Sequence, residues 1–174
     1  WVIYGIAQIM FSEGAVDQVL VLTPSVTVRT ELKNKFEKFV TNANIQAALA
    51  DPSIKIKFIP RVIDSSSTIK NGDICIDNVH KTYSHVTSSF EDSLLNKGSR
   101  TLVLNDEAHH IMNPDAQSGS TEKQKMKEWK KFLVEQKFDF KYIVGFTGTP
   151  YMKDEYATDV IYRYSLMQGM EGDL

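Results

Sequence analysis

Asp106 and Glu107 are adjacent carboxylates that follow directly on the apolar run Leu102-Val103-Leu104-Asn105. Such a run reads as a buried strand, and open α/β sheets bind ligands at the carboxyl ends of their strands. Two acids placed there suit hydrolysis of a nucleoside triphosphate, in which one carboxylate holds Mg2+ and its neighbour polarises the attacking water. Adjacent acids are common on protein surfaces. The full run Asp106-Glu107-Ala108-His109, however, is expected by chance in a chain of this length only about once in a thousand.

Val144-Gly145-Phe146-Thr147-Gly148-Thr149-Pro150 ends the next strand candidate, so the hydroxyls of Thr147 and Thr149 are expected at the same sheet edge as Asp106. Taken alone the segment is an ordinary exit from strand to turn. Beside the acidic run it reads as a second loop converging on one site. Leu22-Thr23-Pro24-Ser25 leads into a helix bearing Arg29, and hydroxyls, free amides and a cation at a helix start suit the grip of a phosphate. The plainer alternative is a capped helix with Arg29 in solvent. His109 and His110 raise the question of a metal. Adjacent histidines point differently, and no further Cys or His stands at ligand spacing, so zinc is not expected. His80 either faces the same edge or is satisfied in a loop, and the loop is the expectation. The basic stretch from Lys123 to Lys131 reads as the solvated face of an amphipathic helix rather than a nucleic-acid contact.

These groups need a frame to bring them together. Apolar runs at Gln18 to Thr23, Ile54 to Ile59, Asp73 to Val79, Thr101 to Asn105 and Tyr142 to Thr147 each predict a strand. Amphipathic stretches at Val26 to Val40, Ala43 to Ala50, Val86 to Asn96 and Glu122 to Gln136 separate them, the last placing Met126, Trp129 and Leu133 on one face. Alternation of strand and helix predicts a mainly parallel sheet with helices on its faces. Ile54-Lys55-Ile56-Lys57-Phe58 alternates strictly, the mark of an edge strand with one wet face. Turn formers from Asn113 to Thr121 predict a mobile loop. The single cysteine, Cys75, lies in Ile74-Cys75-Ile76 and is expected to be a buried small hydrophobe.

The 174 residues suffice for one domain with its own core, and 42% hydrophobic with 24% charged residues is the balance of a globular chain. A formal charge of −2 restricts any nucleic-acid contact to a local patch. Trp1 to Phe11 is apolar but lacks a basic leader and a cleavage site, so a cytoplasmic protein is expected, without a membrane partner. The same segment predicts a buried helix that stops at Gly14 and starts without a capping residue.

Thr23-Pro24-Ser25, Asp106-Glu107-Ala108-His109 and Thr147-Gly148-Thr149, in that order, resemble motifs Ia, II and III of superfamily two helicases, carried on the first RecA-like domain. In closer detail, Leu104-Asn105-Asp106-Glu107-Ala108-His109-His110, Asp77-Asn78-Val79-His80 and Asp159-Val160-Ile161-Tyr162-Arg163-Tyr164-Ser165-Leu166 look similar to the Res subunit of type III restriction enzymes. The resemblance implies an α/β, three-layer RecA-like (P-loop NTPase) domain with a mainly parallel sheet and helices on both faces. It implies ATP and Mg2+ as cofactors, with Asp106 coordinating Mg2+ through water and Glu107 acting as catalytic base. His109, Thr147 and Thr149 would couple hydrolysis to DNA movement. Thr23, Pro24, Ser25 and Arg29 would line the path of the DNA strand. The implied partners are DNA and a methyltransferase (Mod) subunit.

The family's phosphate loop, a Gly-rich turn ending Gly-Lys-Thr or Gly-Lys-Ser, is nowhere in these residues. In this fold that loop runs straight into a buried helix, which fits the uncapped helix at Trp1. Residues 1–174 are therefore expected to be a truncated first RecA-like motor domain. The phosphate loop would lie just upstream and the second motor domain downstream, and the fragment alone would bind ATP poorly. Two other readings remain open: a different superfamily two helicase, of repair or phage type, and a non-catalytic RecA-like module that binds protein or DNA. The intact Asp106-Glu107 pair weighs against the second.

Overall fold

The computed structural model describes residues 2–49, 59–83, 89–112, 120–149, 151–152, 155–156, 160–163 and 168. Helix α1 (Val2–Ser12) leads to strand β1 (Gln18–Thr23), and the chain returns through α2 (Val26–Thr41) and α3 (Ala43–Leu49). Strands β2 (Arg61–Ile63) and β3 (Asp73–Asn78) follow, then helix α4 (Ser89–Leu94) and strand β4 (Thr101–Asn105). The one-turn helix α5 (His109–Met112), the long helix α6 (Ser120–Val134) and strand β5 (Tyr142–Gly145) come next. A small antiparallel pair joins β6 (Tyr151–Met152) to β7 (Glu155–Tyr156).

The main sheet has five strands in the order β2-β3-β1-β4-β5, and every neighbouring pair is parallel. Strands β1, β3 and β4 are buried at every position, which is why the middles of their sequences run apolar without alternating, although β3 also buries Asp73, Asp77 and Asn78. Successive side chains still take opposite faces. Leu20, Leu22, Cys75 and Val103 pack with Leu94 and with Trp129, Phe132 and Leu133 of α6. Val19, Val21, Ile74, Ile76, Leu102 and Leu104 meet Tyr4, Ala7 and Phe11 of α1, Phe36 of α2 and Ile45 of α3. Each such side chain contributes roughly 1.5–3 kcal/mol on burial. The result is the expected three layers, with helices on both faces of a parallel sheet.

Helix α1 ends at Gly14, whose φ of +64° is open to glycine without cost. The Gly14 amide donates to the carbonyl of Phe11 and the Ala15 amide to that of Met10, a Schellman closure that turns the chain into β1. The helix is less buried than its composition suggests. Tyr4, Ala7, Gln8 and Phe11 face the core, whereas Val2 and Ile9 are exposed.

Several boundaries differ from the sequence reading. The expected edge strand at 54–58 lies outside the described residues, and Ile59 has no regular structure. Among the described residues the sheet ends on that side with β2, a strand too short for any periodicity to show. The strand expected to reach Thr147 stops at Gly145: Phe146 still bonds to the main chain of Asn105 and Ala108 but lies outside the regular strand, and Thr147 has no regular structure. The helix expected from Val86 is described from Ser89, residues 84–88 lying outside the description; of the loop expected from Asn113 to Thr121, residues 113–119 also lie outside it, and Ser120 and Thr121 are the first turn of α6 instead. Cys75 is buried and free, as expected.

Candidate active site

Parallel register brings the strand ends together. Thr23 of β1 stands opposite Asn78 of β3, Leu22 opposite Asn105 of β4, and Asn105 opposite Gly145 of β5. Pairing continues past the last strand residues. The Asp106 amide donates to the Leu22 carbonyl at 2.9 Å, the Phe146 amide to the Asn105 carbonyl at 2.8 Å, and the Ala108 amide to the Phe146 carbonyl at 2.8 Å. The exits of β1, β4 and β5 are thus locked to one another by main chain. They approach so closely that a Cβ on Gly145 would sit 2.6 Å from the Cβ of Ala108, so only glycine fits beside that buried alanine.

Glu107 occupies the left-handed region at φ +53°, a conformation that costs a non-glycine residue roughly 1–2 kcal/mol. Its carbonyl accepts from the His110 amide at 3.1 Å, which starts α5. The turn carries the carboxylate to His109: Glu107 Oε2 lies 3.2 Å from His109 Nδ1. The same nitrogen is 3.0 Å from Thr147 Oγ1, and that hydroxyl accepts the Thr149 amide at 3.0 Å. A hydrogen on Nδ1 satisfies the contact to the carboxylate, which favours that tautomer. Glu107, His109, Thr147 and the Thr149 main chain therefore form one connected line from the β4 exit to the β5 exit. The Thr149 side chain is exposed, and Pro150 lies outside the described residues.

Asp106 is half-buried beside this line. Burial first, and the charge of Glu107 second, push its carboxyl above the usual carboxylate range, against a smaller opposing effect of the Glu107 amide. No lysine or arginine among the described residues pairs with it. A partly desolvated carboxylate next to a second acid, lacking a cationic partner, is a donor set that fits a divalent cation.

The second expected group sits at the exits of β1 and β3. Thr23 is fully buried and its hydroxyl donates to the Ser25 carbonyl at 3.1 Å. Pro24 is half-buried, and Ser25 holds the N-cap position of α2 without a side-chain capping bond. Arg29 is not in solvent, as a simple capped helix would have it. Its guanidinium lies 3.6 Å from the buried Asp77 carboxylate, and its Nε is buried without a partner. Asp77 also accepts the amides of Ser65 and Asn78. Among the described residues no side-chain hydrogen bond joins this group to Asp106 or Glu107. His80 is exposed on the turn after β3 with its ring edge-on to Tyr83, a loop position as expected.

A family model described as type III restriction enzyme, res subunit, matches residues 1–152. The chain belongs to this family. Its parallel sheet is accordingly that of a RecA-like P-loop NTPase domain, and the family is one of helicase-like ATPase motors. No curated protein and no solved structure matches this Res-family chain. No helix among its described residues is long and apolar enough to cross a membrane. The tail resemblance at Asp159 to Leu166 falls half outside the described residues.

Two residues at the Res-family rim entered the sequence reading only as part of the resemblance, with no role of their own. Asp77, in a run expected to be apolar strand, anchors Arg29. Asn105 receives the indole N–H of Trp129 at 3.0 Å in the core. Asn105 carries a visible signal, a polar residue closing the apolar run of β4, whereas Asp77 lies inside β3 before Asn78.

Proposed function

We propose that this chain is the first motor lobe of an ATP-driven DNA translocase, the Res subunit of a type III restriction system working with a methyltransferase subunit. The observation that carries the reading is the line from Glu107 through His109 Nδ1 to Thr147 Oγ1, beside the cation-ready Asp106. Asp106 would hold Mg2+, which when bound neutralises charge on the phosphate oxygens of ATP. Glu107, held in place by His109, orients the attacking water and takes its proton. His109 links that carboxylate to Thr147 and Thr149 on the neighbouring loop. A change in charge at Glu107 during turnover therefore reaches the β5 exit through one imidazole. Pro24, Ser25 and the partly exposed Arg29 guanidinium would contact the DNA backbone, the first turn of α2 having no side-chain cap, while the fully buried Thr23 shapes that turn from beneath through its bond to the Ser25 carbonyl.

Glu107→Gln in the full-length protein tests the reading. The amide is unable to accept a proton, so turnover should fall by about 10²- to 10⁴-fold while Mg-ATP binding persists. Hydrolysis at the wild-type rate would remove Glu107 from the role of base.

A further inference from the structure

We propose that Asn105 and Trp129 are a positioning pair that aims the Asp106-Glu107 carboxylates from the far side of the core. The proposal rests on the ATPase reading above.

Asn105 is the last residue of β4 and is peptide-bonded to Asp106. Its main chain is held on both sides, by register with Leu22 and Gly145 and by the bond its carbonyl accepts from Phe146. Its side chain enters the core layer between sheet and α6, where it takes the Trp129 indole N–H at 3.0 Å. Asn105 is 1% exposed and Trp129 0%. The layer around them is built from Leu20, Leu22, Cys75, Val103, Phe132 and Leu133. A polar pair there is a choice that packing alone does not demand. An amide in such a layer costs stability unless satisfied, and two apolar groups of matching shape would be at least as stable. What the pair adds is direction. Dispersion contacts leave a side chain free to settle, whereas one buried hydrogen bond from a rigid ring fixes the Asn105 rotamer and, through its Cα, the departure angle of Asp106. Helix α6 thereby supplies the side-chain anchor of a rim that is otherwise set by main chain. The requirement is severe, because a misplacement near 1 Å at a reacting centre costs about 100-fold in rate.

The test compares wild type, Glu107→Gln, Trp129→Phe, Asn105→Leu and the double variant Trp129→Phe/Asn105→Leu, all in the full-length protein. Each single change at the pair strands one buried polar group, so both singles should melt lower. The double variant strands none and should melt near wild type. The expected result is a kcat at least about ten-fold lower in the double variant, with KM for ATP changed far less and more Mg2+ needed for half-maximal rate. A purely structural pair would instead return kcat and Mg2+ dependence to wild type in the double variant, and that result overturns the proposal. Failure of the underlying reading looks different: wild type would not hydrolyse ATP, or Glu107→Gln would hydrolyse it normally. The positioning role would then fall with the reading.

Discussion

Burial and the neighbouring Glu107 both raise the Asp106 carboxyl above its ordinary range, so the folded chain disfavours the ionised form. A carboxyl raised on folding is at its least costly below the unfolded-state pKa, and it takes stability away as pH climbs through the folded value. Near neutral pH, without metal, Asp106 therefore works against the fold. Asp106→Asn should raise the thermal midpoint of the metal-free protein by a few degrees at pH 7. It should also abolish the further rise that Mg2+ gives the wild type. A variant that melts lower, or that still gains from Mg2+, would remove Asp106 from the cation site. At this scale the sequence was informative where chemistry is local: Asp106, Glu107, His109 and Thr147 lie where a motif at two strand ends predicts. The left-handed turn at Glu107 was not legible, because nothing in a glutamate announces a positive φ. The Asn105 to Trp129 bond was not legible either, since it joins two elements whose relative placement only the packed core decides.

Helix α2 is tied to the sheet by two ion pairs, Arg29 with Asp77 and Lys33 with Asp64. Lys33 Nζ reaches Asp64 Oδ2 at 2.7 Å just after β2. That bond first, and the Ser66 hydroxyl second, hold the Asp64 carboxyl well below the usual carboxylate range. A depressed carboxyl contributes stability above its unfolded pKa, and the contribution disappears as pH falls through the folded value. Lys33→Met should thus cost about 0.5–1 kcal/mol at pH 7, and the gap to wild type should close as the medium is acidified below about pH 4. Denaturant titrations at the two pH values check this, and a gap independent of pH would show that the lysine acts through its stem alone. Element type was legible in α2 and α6, whose runs are long enough to reveal a period, and in the buried strands, whose short unbroken apolar runs stand out. Strand β2 was missed because three residues have no period, and only pairing with β3 defines it. The end of β5 was misplaced by two residues because Phe146 and Thr147 are as β-prone as the strand they leave.

Across the whole molecule, a formal charge of −2 leaves no general attraction for a polyanion, so any DNA contact must be concentrated in a few cations. Arg29 is the candidate, its guanidinium partly exposed near the start of α2. Arg29→Gln should weaken DNA binding and lower the slope of log affinity against log salt by about one, whereas Lys127→Gln on the exposed face of α6 should leave both unchanged. An unaltered slope for Arg29→Gln would take it off the DNA path. The layered architecture was the most legible feature of all, since alternating strand and helix patterns admit few other arrangements. Strand order was less so, because it depends on contacts distant in sequence. One property of the rim bears on inheritance as much as on chemistry. The bonds that align the exits of β1, β4 and β5 come from the amides of Asp106, Ala108 and Phe146, which every residue except proline possesses. Shape and reactivity are therefore encoded separately. A gene copy that lost its acids would still produce a protein of the same outline.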